Sequence, residues 1–127
     1  MNIIIGISWP FANGELHIGH AASSLPGDVI ARYHRLKGNN VILVSGSDCH
    51  GTPIDVKALQ EKKSAKAIVD LCHENFKRDW ENLGVSFDLY NRTDDEYHKD
   101  FVKEQFKKYY DYGYLFEQTE QQLFCKH

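Results

Sequence analysis

Asn2-Ile3-Ile4-Ile5-Gly6-Ile7-Ser8 runs into Trp9-Pro10-Phe11-Ala12-Asn13-Gly14-Glu15-Leu16, and then into His17-Ile18-Gly19-His20. The first seven residues are β-branched and apolar without alternation, the pattern of a strand covered on both faces in a parallel sheet. Pro10, Asn13 and Gly14 punctuate a loop. A helix is predicted from about His17 to Lys37, with Leu25, Val29, Tyr33 and Leu36 at helical spacing and Gly38 as its stop. Pro26 inside it predicts a kink or a break. Val41 to Ser45 is a second apolar strand. Strand, crossover helix and strand make a right-handed parallel unit, which sets the class as α/β.

Further on, Gly46 to Gly51 is a turn at the carboxyl end of the second strand, where open α/β sheets place ligands. Thr52-Pro53 starts a helix with proline at its first position. Ser64 is suited to cap another, whose stripe is Ile68, Leu71, Cys72, Phe76, Trp80 and Leu83, ended by Gly84. Thr93-Asp94-Asp95-Glu96 reads as a capping box for a helix carrying Tyr97, Phe101, Phe106 and Tyr109, stopped by Gly113. Tyr114 to His127 reads as two short strands around Thr119. These readings divide the chain into residues 1–113 and 114–127. The chain stops after an apolar stretch, as a fragment does.

Composition narrows the function classes. The 127 residues carry 15 Lys+Arg and 18 Asp+Glu, a formal charge of −3. A mild acidic balance gives no footprint for DNA or for extensive nucleic-acid contact. Apolar runs fall far short of the ~20 residues a membrane helix needs, and no basic leader precedes the first one. A cytoplasmic protein without membrane contact is expected. Cys49, Cys72 and Cys125 are odd in number and widely spaced, so they are not a disulfide framework. Cys72 falls on the helical stripe as a core residue, and Cys49 reads as a small buried turn residue.

Two segments carry chemistry. The glycine-containing loop delivers a helix N-terminus, whose free N–H groups and positive dipole end attract anions. His17 and His20 lie three apart on one face of its first turn. They suit donation to the phosphate oxygens of a nucleoside triphosphate, while Gly19 lets a flat ligand approach the backbone. Equally, they can be capping or solvated histidines. Asp48, in Gly46-Ser47-Asp48-Cys49-His50-Gly51-Thr52-Pro53-Ile54, leaves the second strand beside the first. It can pair with a ligand ammonium or hold its own turn.

The His17-Ile18-Gly19-His20 segment resembles the HIGH element of class I aminoacyl-tRNA synthetases. The Asp48 turn resembles that of the methionyl-tRNA synthetases, as do Ala31-Arg32-Tyr33-His34-Arg35-Leu36-Lys37-Gly38, Phe87-Asp88, Arg92-Thr93 and Glu120-Gln121-Gln122-Leu123-Phe124-Cys125. The resemblance implies the first half of a Rossmann-like class I catalytic domain, with parallel strands and crossover helices. It implies a methionine--tRNA ligase that activates methionine with ATP and Mg²⁺ and transfers it to tRNA, which is met mainly by regions outside this chain. His17 and His20 would be catalytic. Pro10, Phe11, Ala12, Asn13, Gly14 and Gly19 would join them around ATP, and Ser8, Trp9 and Asp48 would hold methionine. Phe11 stands where a tyrosine is usual, and Trp9 where a smaller apolar residue is frequent. Cys125 would open a zinc knuckle completed only in a full-length enzyme. Lys62-Lys63-Ser64-Ala65-Lys66 imitates the family's KMSKS loop, but it comes too early and its serine is better used as a cap. By this reading the chain alone is inactive. The rival is a stand-alone truncated paralogue, a nucleotide-binding or interaction module without ligase activity.

Overall fold

The computed structural model describes residues 1–121. They fall into two compact units, Met1–Asp95 and the part that begins at Glu96. The first unit holds β1 (Asn2–Gly6), α1 (Ile18–Leu36), β2 (Asn40–Ser47), α2 (Thr52–Glu61), α3 (Ala65–Asn82) and β3 (Leu89–Arg92). The second holds α4 (Glu96–Asp111). The strands form one parallel sheet in the order β1-β2-β3, so the expected strand–helix–strand unit is present.

Both crossovers step in the same direction along the sheet, and a right-handed connection then puts the connecting helices on one face. Ile3, Ile5, Val41, Leu43, Ser45 and Ser47 point to that side, and the buried core there includes Leu43, Ile54, Ile68, Phe76 and Trp80. The opposite face of the same strands is not covered as the unbroken apolar run predicts: Ile4 is 75% exposed, Ile42 44% and Leu89 53%. The reason is topological, since no connection within Met1–Asp95 steps back across the sheet.

Helix α1 passes through Pro26 without a break. Its buried side is small and polar (Ser24, Asp28 and Ala31), while Leu25, Val29, Tyr33 and Leu36 face outward. Gly27 explains how close the helix comes to the sheet: a Cβ there would meet Ile7 Cδ1 at 2.7 Å. Asp28 accepts from the Ser86 amide at 2.8 Å, and Arg35 reaches Asp88 at 2.6 Å. Asp88 also accepts from the Leu43 amide at 2.7 Å. The Ala31–Gly38 and Phe87–Asp88 segments are therefore the tie between α1 and the entrance to β3. Burial pushes the Asp28 carboxyl upward, but the Ser86 hydrogen bonds and Arg32 outweigh it and hold the group below its usual range.

Other expectations divide. Ser64 caps α3 through the Ala67 amide at 3.2 Å, and Pro53 sits at the start of α2. Leu71 and Leu83 of the α3 stripe are exposed. Strand β2 runs two residues past Ser45, and β3 is an element the sequence reading lacks. Residues 114–121 carry no strand. The rest of the expected strand pair, and Cys125, lie outside the described residues.

Candidate functional site

The loop between β1 and α1 is stitched to the end of β2. The Asp48 amide donates to the Pro10 carbonyl at 2.8 Å, and the Ala12 amide donates to the Asp48 carbonyl at 2.8 Å. Phe11 and Asp48 thereby form a parallel bridge that extends the β1–β2 pairing past the sheet. Ala12 and Pro10 are buried, Phe11 is half-exposed, and Asn13 and Gly14 are intermediate. Trp9 lies over Gly46, its Cζ3 being 2.5 Å from where a Cβ would stand. Ser8 is exposed, and its carbonyl accepts from the Ser45 hydroxyl at 3.4 Å. Pro10, Phe11 and Ala12 thus meet the Asp48 turn directly, and Ser8 and Trp9 meet the end of β2.

At the far end of the loop, His17 is the N-cap of α1. Its Nδ1 accepts from the Gly19 amide at 3.1 Å, and the His20 Nδ1 accepts from the His17 amide at 3.1 Å. Two imidazoles do the work usually done by a serine or threonine and a glutamate. Their rings are close and tilted, with centroids 4.0 Å apart and planes at 35°. A ring nitrogen that accepts a hydrogen bond carries no proton, so with Nδ1 accepting in both rings the N–H donor of each histidine is Nε2. Desolvation, followed by the neighbouring His17, lowers the His20 pKa and favours this neutral form. The capping reading and the donor reading are therefore compatible, one at each ring nitrogen. Beside the pair is a groove of about 390 Å³ between the start of α1 and the end of α3, lined by Leu16, His17, Ala21, Asp79, Trp80 and Leu83 among others.

The Asp48 turn rests on a polar layer. Ser47 Oγ is 2.9 Å from His73 Nδ1, and the His73 ring stacks on Tyr90 at 5.7 Å. Burial, then the charge of Arg92, holds the His73 pKa down. Arg92, at the end of β3, grips Asp94 through two nitrogens and Asp70 at 2.7 Å. That contact holds the Asp94 carboxyl at about 2. Cys49 is buried, and desolvation, followed by its hydrogen bond with Asp94, pushes its thiol up, which disfavours the reactive thiolate. Cys72 is likewise a core residue.

Sequence reasoning misassigned Thr93. Helix α4 begins at Glu96, and the Thr93 hydroxyl is turned to Cys49 and Asp48 instead of capping that helix. The misreading follows from missing β3, whose end delivers Thr93 beside β2. Among the described residues no group of three or more His, Cys, Asp or Glu side chains could hold a metal ion.

Comparison with known proteins agrees with this geometry. A model of the tRNA synthetases class I (M) matches residues 3–127. The chain is 53% identical over 125 residues to methionine--tRNA ligase 1 of Alkaliphilus oremlandii, and 52% identical over 125 residues to methionine--tRNA ligase of Streptococcus pneumoniae. Each match covers 98% of this chain and 23% of the relative. Mycobacterium tuberculosis methionyl-tRNA synthetase in complex with methionyl-adenylate superposes with a TM-score of 0.86 at 28% identity, over 88% of this chain and 22% of that one. The chain thus spans about a quarter of the length of these relatives, and it belongs to the class I tRNA synthetases, in their M, or methionyl, family.

Proposed function

We propose that the chain is the N-terminal part of a methionine--tRNA ligase, supplying the first half of its catalytic domain over residues 1–113 and the start of an insertion over 114–127. The observation that carries this is the match at about half identity over 98% of the chain. The reaction has two steps. The methionine carboxylate attacks the α-phosphorus of ATP, which would come as its Mg²⁺ complex, and pyrophosphate leaves. A terminal ribose hydroxyl of tRNA then attacks the adenylate. The first nucleophile is already ionised, so positioning and charge stabilisation carry the catalysis.

The geometry suits that division of labour. Nε2–H donors on His17 and His20 would meet phosphate oxygens as charge builds on them. Gly19, with Pro10 to Gly14, would let the nucleotide lie against the backbone. Asp48 would hold the methionine ammonium, with Ser8 and Trp9 beside the amino acid. A zinc knuckle beginning at Cys125 would belong to the insertion. The proposal includes action in the cytoplasm with tRNA as the macromolecular partner, and no helix among the described residues is long and apolar enough to cross a membrane.

The test is methionine-dependent exchange between ATP and pyrophosphate. The 127-residue chain alone is expected to be inactive, and the product of the whole reading frame active. In the latter, Asp48→Asn is expected to raise the methionine KM steeply, because removing one partner of a buried charge pair costs about 2–5 kcal/mol. Exchange by the chain alone, abolished by His20→Ala, would overturn the proposal.

A further inference from the structure

Thr93 holds three consecutive residues of the Asp48 turn. Its amide donates to the Ser47 carbonyl at 3.1 Å. Its hydroxyl oxygen accepts from the Cys49 amide at 2.7 Å and lies 3.3 Å from Asp48 Oδ1. A hydroxyl that accepts one N–H still has its own proton to give. Here that proton falls to the Asp48 carboxylate, so the Thr93 hydroxyl acts as a relay from the Cys49 amide to Asp48.

The carboxylate is consequently asymmetric. Oδ1 receives the Thr93 hydroxyl and, at 3.4 Å, the His50 amide. Oδ2 takes no hydrogen bond among the described residues. Thr93 itself arrives from a fixed support. It follows β3, which pairs Arg92 with Ser47 in register, and Arg92 is clamped by Asp94 and Asp70. A carboxylate free to rotate would share both oxygens between turn and ligand. One whose Oδ1 is pinned presents a single, preorganised oxygen.

We infer that Thr93 is a positioning residue for the amino-acid substrate: its hydroxyl orients the Asp48 carboxylate so that Oδ2 meets the ligand's ammonium group. This rests on the proposed role of Asp48. Thr93 does not itself touch the substrate, and its hydroxyl acts only through the carboxylate.

The experiment compares Thr93→Val, which keeps the shape and loses the hydroxyl, with Thr93→Ser, which keeps the hydroxyl, in the full-length protein. Thr93→Val is expected to raise the methionine KM about tenfold and leave the ATP KM within about twofold, as for loss of one hydrogen bond to a charged group. Thr93→Ser is expected to restore the methionine KM. A merely structural Thr93 would lower the melting temperature and affect both substrates alike, and that result, or an unchanged methionine KM in folded Thr93→Val, overturns the inference. Should Thr93→Val fail to fold, Thr93→Cys, with its weak donor, replaces it under the same criteria. Asp48→Asn run in parallel separates the two levels. If it raises the methionine KM while Thr93→Val does not, the role of Thr93 alone is wrong. If neither moves it, the reading of Asp48 falls, and this inference with it.

Discussion

The His20 imidazole turns its Nδ1 back onto the His17 amide, 3.1 Å away, while His17 caps the Gly19 amide at the same distance. Two side chains close the first turn of α1, and each keeps its Nε2 for something else. Structure and chemistry therefore depend on different atoms of the same residues, and substitutions can separate them. Asparagine is among the best N-cap residues, so His17→Asn keeps an acceptor near the Gly19 amide and loses the Nε2 donor. In the full-length enzyme the expected result is a melting temperature close to wild type. The adenylation kcat should fall on the order of 10²–10³, the usual loss for one donor to a developing charge. His20→Ala is expected to lower kcat similarly and to loosen the helix start as well. A variant that changes only the ATP KM would show that the histidines bind the ground state.

Protonation should act on the same cap. The His20 pKa lies below 6.5 through desolvation and then the nearby His17, and that of His73 lies below 6.5 through burial and then Arg92. In the unfolded chain both take up a proton near the ordinary value, while the native protein resists it. Their contribution to stability is therefore complete above about 6.5 and is lost as pH falls from there toward the folded-state values. A protonated His20 Nδ1 also cannot accept from the His17 amide. Titration of the histidine ring proton resonances is expected to show both midpoints below 6.5. A midpoint at or above that value for His73 would show that it is not buried against Ser47 as described.

Asp94 makes the opposite end of the site sensitive to acid. Its carboxyl is held at about 2, against 3.8 ordinarily, chiefly by Arg92, and both side chains are about one-fifth exposed. The sign is that of a depressed acid: the stabilisation is present above 3.8 and disappears as pH falls toward 2. Asp94→Asn is expected to cost about 2 kcal/mol at neutral pH by that displacement. The loss should read as a lower urea midpoint with an unchanged slope. Wild type and variant should converge in strong acid. Equal midpoints at pH 7 would mean that Asp70 alone suffices to anchor Arg92.

Legibility in the sequence followed the size of the physical signal. The α3 helix with its Ser64 cap was readable because most of its helical stripe is buried, and β1 and β2 were readable from their apolar runs, although only one face of each strand packs against the core. Strand β3 has only four residues, Leu89 to Arg92, with no run long enough to announce it. Missing it sent Thr93 to the wrong partner, since a threonine three residues ahead of a glutamate fits a capping box by pattern alone. Helix α1 misled in another way. Its apolar stripe is real but faces outward, because Ser24, Gly27, Asp28 and Ala31 let the backbone lie close on β1. Asp28 could not be read as buried without its long-range partner Ser86, 58 residues away. The histidine pair and Asp48 were singled out as candidates, yet spacing alone could not say that both histidines are caps, nor that Asp48 shares one oxygen with Thr93.

Gly46 offers the strictest test of how the site is built. It lies in β2, two residues before Asp48, on the side of the strand opposite the buried Ser45 and Ser47. A Cβ there would collide with the backbone carbonyl of Asn91 on β3 and with the Trp9 ring, whose Cε3 would be 2.7 Å away. The Trp9 ring could swing aside, but the Asn91 carbonyl is held in the β2–β3 ladder and cannot move alone. Gly46→Ala must therefore part the two strands locally, and overpacking of this kind costs typically about 1–3 kcal/mol or more. Because Arg92 and Thr93 follow Asn91 directly, the displacement should reach the Asp48 turn. The expected outcome is a lower melting temperature together with a raised methionine KM. The combined variant Trp9→Ala/Gly46→Ala should recover little of either, since the carbonyl clash remains. Recovery of stability in that double variant would show that Trp9, and not the β2–β3 spacing, is what requires a glycine at this position.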